Sequence, residues 1–136
     1  MMTKTLGIGF MTLVLLTAGC AAKLPQPIAE PSGSFVFAAA TASDIRQAIL
    51  RAVAGTPWQI EDASDPGEIV VKLVRANSER MVKAKILYTA ASYRICFVDA
   101  ADMDYDPKER TISRKYNQWI RNLEKQIRLS LTTPAR

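Results

Sequence analysis

Three successive stretches between residues 68 and 99 alternate apolar and polar side chains with a period of two. In EIVVKLVR (68–75), Ile69, Val71 and Leu73 share one face and Val70, Lys72 and Val74 the other. In MVKAKILY (81–88), Val82, Ala84, Ile86 and Tyr88 oppose Lys83, Lys85 and Leu87. In SYRICFVD (92–99), Tyr93, Ile95 and Phe97 oppose Arg94, Cys96 and Val98. A shorter run, WQIE (58–61), turns Trp58 and Ile60 inward. Asp65-Pro66-Gly67 and Asn77-Ser78 are turn sequences, and Thr89-Ala90-Ala91 separates the last two runs. Successive side chains of a strand point to opposite faces. The pattern therefore predicts a four-stranded antiparallel meander with one buried face.

Two amphipathic helices bracket that meander. Thr41 and Asp44 have the spacing of a capping box, with Asp44 suited to the positive end of a helix. Ile45, Ala48, Ile49, Ala52 and Val53 then recur at helical spacing, and Gly55 and Pro57 stop the run. This predicts a helix over 41–54. A second helix is predicted over 113–131. Its Tyr116, Trp119, Ile120, Leu123, Ile127 and Leu131 fall within a sector of about 120°. Arg114, Arg121, Lys125 and Arg128 form a narrower basic stripe on the opposite side. A sheet with one apolar face accepts both helices there, so the fold class is α+β with the N- and C-terminal helices on the same side. Phe35-Val36-Phe37 is a short β-prone run that either pairs at a sheet edge or plugs the core.

Upstream, the chain changes character. Residues 6–16 are almost unbroken apolar sequence after a single cation, Lys4. At about 11 residues the run has the length of a signal-peptide core, whereas crossing a bilayer takes about 20. Ala18, Gly19 and Cys20 follow. Leu16-Thr17-Ala18-Gly19-Cys20 resembles a lipoprotein signal, which implies cleavage before Cys20 and acylation of its thiol with fatty acid such as palmitate. Ala21 after the cysteine implies, by the same resemblance, sorting to the outer membrane. Residues 1–19 are then the signal peptide. Residues 20–34, with Pro25, Pro27, Pro31 and Gly33, read as a tether, and 35–136 as a single periplasmic domain. Fully extended, such a tether reaches roughly 45 Å.

The chain contains no histidine and two cysteines. Without histidine, the commonest general base and metal ligand is missing, as is any Ser-His or Cys-His pair. With Cys20 acylated, Cys96 has no disulfide partner in the chain. This favours a domain that binds over an enzyme, with no catalytic residue and no cofactor assigned. The net charge of +5 falls by one when Lys4 leaves with the signal. The outward sheet face carries Lys72, Lys83, Lys85 and Arg94 among apolar neighbours, and the stripe of Arg114, Arg121, Lys125 and Arg128 adds a second basic surface. Such surfaces suit a lipid headgroup, a glycan phosphate or an envelope protein, and export makes nucleic acid an unsuitable partner. A competing expectation centres on the acidic loop. Asp99, Asp102, Asp104, Asp106 and Glu109 would make a calcium-dependent module or an enzyme, although Pro107 stands where a calcium loop needs glycine.

Several of these residues also carry a family resemblance. Trp58 after the first helix, Tyr93 and Ile95 before a polar loop, and Tyr116-Asn117-Gln118-Trp119-Ile120 opening the last helix resemble a family of small proteobacterial lipoproteins. The resemblance spans nearly all of residues 41–131 and implies the fold and the location, with no activity attached. Asn117 is the polar residue in that motif that helix packing alone does not explain.

Overall fold

A computed structural model describes residues 24–35 and 40–132 of the chain. The signal segment, Cys20, Val36 and Phe37 lie outside the described residues. In chain order the elements are β1 (Gln26–Pro27), β2 (Ser32–Ser34), α1 (Ala42–Ala54), β3 (Gln59–Asp62), β4 (Glu68–Val74), β5 (Met81–Tyr88), β6 (Ser92–Ala101), β7 (Thr111–Ile112) and α2 (Arg114–Thr132). The class is α+β. The meander β3-β4-β5-β6 forms antiparallel, but the sheet has five strands, because β2 pairs with β6 on its far side. A separate two-stranded sheet joins β1 to β7.

The first helix starts as its sequence dictates. The Thr41 hydroxyl accepts from the Asp44 N–H at 3.2 Å, and the Asp44 carboxylate accepts from the Thr41 N–H at 2.9 Å. These bonds to Thr41 hold the Asp44 carboxyl below the usual carboxylate range. At the other end, Gly55 and Thr56 return their N–H groups to Ala52 and Val53, and Pro57 prevents a further turn. Ile45, Ala48, Ile49, Ala52 and Val53 are buried together with Tyr116, Ile120, Leu123, Ile127 and Leu131 of α2 and the inner face of the sheet. Each fully buried Ile or Leu contributes about 1.5–3 kcal/mol. The Tyr116 ring meets Phe97 edge-on at 5.4 Å, which seats the start of α2 over β6. At the sheet's other edge, Ile60, expected to face inward, is 41% exposed; among the described residues its strand has no further strand beside it to cover it.

The larger departure is the segment read as a tether. From Gln26 onward it is docked. Asn117, 2% exposed, accepts from the Ala29 N–H at 2.9 Å and donates to the Pro27 carbonyl at 2.8 Å. The Ile28 N–H reaches the Arg110 carbonyl, and the Ile95 N–H donates to the Pro31 carbonyl at 2.9 Å. Glu30 accepts from the Phe97 N–H and pairs with Arg110. At Gly33 the backbone lies so close to Tyr93 that a Cβ would come within 2.7 Å of its ring. Phe35 then stacks on that ring at 6.4 Å. Prolines suit this strap because edge strands need few backbone donors. Asn117, which the sequence left unexplained, is its clamp.

Candidate functional site

The outward sheet face was expected to be basic, and its register changes that. Lys72 faces Lys83 directly, an unfavourable pairing in isolation. A bulge between Lys83 and Ala84 of the β5–β6 ladder inserts one residue into β6, so Ala84 faces Phe97 and Lys83 faces Asp99. A second irregularity, between Ile60 and Asp62, leaves Glu61 free to bond Lys83 at 2.8 Å. Glu68 lies 3.9 Å from Lys85. Lys72, Lys83, Lys85 and Arg94 therefore share their face with Glu61, Glu68 and Asp99. Their half-buried or exposed side chains run among Val70, Leu87 and Cys96. Lysine stems of this kind cover apolar surface while their ammonium groups stay wet. Cys96 is half-buried opposite Lys85.

The second set stands elsewhere. Arg114, Arg121, Lys125 and Arg128 are all exposed on α2. Because α2 packs on the inner side of the sheet, this stripe and the four sheet cations look in opposite directions. The eight residues do not form one surface. Glu124 lies 3.9 Å from Arg128, whereas Arg121 and Lys125 make no ion pair within the described residues. Glu124 also accepts from the Tyr93 hydroxyl at 2.9 Å. Burial first, then this bond, pushes the Tyr93 phenol up to about 12.

The acidic loop is built around its own backbone. The Asp106 carboxylate accepts from the N–H groups of Lys108 and Glu109, and the Asp106 backbone pairs with Thr111. Asp99 accepts from the adjacent Ala100 N–H. Met103 is buried and anchors the loop, while Asp102, Asp104 and Arg110 take left-handed backbone conformations. Among the described residues, no three His, Cys, Asp or Glu side chains are grouped to hold a metal ion. No described helix is long and apolar enough to cross a membrane.

One feature escaped the sequence. A cleft of about 310 Å³ opens where the end of α1 meets the flank of α2, lined by Pro57, Trp58, Leu73, Arg75, Trp119 and Lys125 among others. Trp58 and Trp119 read as core residues because their spacing is apolar. Trp58 is buried at 4% exposure, but Trp119 is only half covered, with the Arg75 guanidinium 5.5 Å from its ring centre. Comparison with protein-family models, curated proteins and solved structures finds no match for this chain.

Proposed function

We propose that this chain is a lipoprotein of the outer membrane, acylated at Cys20, whose periplasmic domain binds without catalysing. Its contact surface is the exposed side of α2, and its partner a phosphate-bearing component of the envelope, either a lipid headgroup or a glycan phosphate. One observation carries this choice of surface. Along α2 the exposed cations Arg114, Lys115, Arg121, Lys125 and Arg128 are offset by a single acid, Glu124, whereas acids interleave with the sheet cations.

The docked strap supports a close approach. From Cys20 to Gln26 the chain can span about 20 Å at most, less than half the reach of the full tether. An anchor at Cys20 would thus hold the β1–β7 corner, and with it the start of α2 at Arg114, near the bilayer. Each Lys or Arg at an anionic surface contributes about 1 kcal/mol, so several together give useful affinity even though salt weakens them.

Two measurements test the reading. Mass spectrometry of the native protein is expected to find a mature N-terminus at Cys20 carrying acyl chains; an intact residue 1–19 segment would overturn the anchor. Sedimentation with anionic vesicles and with phosphorylated glycan tests the surface. Binding that survives Arg114→Glu with Arg121→Glu would remove α2 as the contact.

A further inference from the structure

The geometry points to the cleft between the end of α1 and the flank of α2 as a site for the carboxylate end of a small apolar ligand. The inference rests on the domain being a binding module and names a second ligand class for it. At about 310 Å³ the cleft lies at the lower end of the range for ligand cavities, so a single side chain or ring fills it. Its apolar wall is made by Pro57, Trp58, Leu73, Trp119 and Leu123. Its charged groups are Arg75 and Lys125, and no carboxylate lines it. Neither cation makes an ion pair within the described residues.

Arg75 is already oriented. Its guanidinium lies 5.5 Å from the centre of the Trp119 ring, an attraction that limits its freedom before any ligand arrives. A guanidinium fork binds a carboxylate through two parallel hydrogen bonds, and Lys125 adds a second charge from the facing helix. The amides of Asn122 and Gln126 supply further donors along the same wall. One feature opposes an anion here, since α1 ends at the cleft and a helix C-terminus is partially negative. That charge is answered locally. The Val53 carbonyl accepts from the Thr56 N–H and hydroxyl, and the Ala52 carbonyl accepts from the Gly55 N–H. The cleft therefore presents the Arg75 guanidinium over an indole ring with Lys125 in its lining, which suits a carboxylate attached to an apolar body.

Both tryptophans of the chain line this cleft, so tryptophan fluorescence reports on it directly. The probes are N-acetylphenylalanine, its amide and 3-phenylpropionate, titrated into the full chain. The acid is expected to change the emission saturably, with the amide binding at least about tenfold more weakly. Arg75→Gln is expected to weaken the acid by a similar factor and Lys125→Gln by less, while Arg121→Gln leaves it unchanged. Binding of N-acetylphenylalanine without phenylpropionate would identify a peptide chain end; binding of both would identify free organic acids as well. Equal affinity for acid and amide, no emission change, or full affinity in Arg75→Gln would overturn the site. Vesicle binding lost in the α2 stripe variants with carboxylate binding intact would leave the cleft standing. The converse would leave the α2 surface standing.

Discussion

The open face of the sheet and the exposed side of α2 look alike as sequence, and the fold treats them differently. The sheet face carries four cations and the exposed side of α2 five. On the sheet, side-by-side strands bring residues from distant positions together, and two irregularities deliver Glu61 and Asp99 to Lys83. On α2, neighbours three and four residues apart come from the helix itself, where Glu124 is the only acid. A sheet face acquires its charge from its register, whereas a helix face carries the charge written in its own sequence.

The most disruptive way to sharpen this contrast is to release what α2 holds on its buried side. Asn117→Ala removes the strap's clamp and is expected to cost about 2–3 kcal/mol in denaturant unfolding, with faster amide exchange over 26–34. Unchanged protection of the strap would mean that strand pairing alone holds it. Next in size, Arg114→Glu with Arg121→Glu is expected to weaken binding to anionic vesicles by about 30-fold, which corresponds to about 2 kcal/mol. The stability of α2 should hold, because a glutamate at its first residue suits the helix's positive end. Lys83→Glu with Lys85→Glu should change vesicle binding far less; equal losses would break the comparison.

A gentler manipulation converts one face into the other. Glu61→Gln with Glu68→Gln frees Lys83 and Lys85, and vesicle binding is expected to rise several-fold at low salt. Stability should stay within about 1 kcal/mol, because both pairs are partly exposed and screened. If binding does not rise, pairing with these acids is not what silences the sheet. The smallest effect concerns Tyr93, whose phenol titrates near 12 in the fold against an ordinary value of 10. A raised folded value favours the neutral phenol, so its contribution is complete below pH 10 and fades as pH rises toward 12. Urea midpoints measured across that range should therefore fall less steeply in Tyr93→Phe than in the parent chain.

The sequence made both helices legible because their signals are local. The capping box at Thr41 and Asp44 and the apolar stripe from Ile45 to Val53 lie within a few turns of one another, and the structure repeats them almost residue for residue. The alternation through Ile69, Val82 and Ile95 likewise identified the buried face of the meander. The candidate surfaces were only half legible. Spacing placed Arg121 and Lys125 on one exposed stripe, but it gave no sign that Glu61 would meet Lys83 or that Arg75 would lie over Trp119.

By itself, then, the amino-acid order determined the two helices, the four meander strands and the α+β class, since periods of 2 and 3.6 are properties of a short stretch of backbone. It wrongly turned Ile60 of the edge strand inward and missed the short strands at 26–27, 32–34 and 111–112. Tertiary structure alone decided that the proline-rich strap becomes a fifth strand, where the bulges fall, and that two core-like tryptophans flank an open cleft. Those outcomes depend on partners far apart in the chain, as Ala29 and Asn117 are at 88 residues' separation. No local pattern encodes which distant group will satisfy a backbone N–H; only the packed chain supplies it.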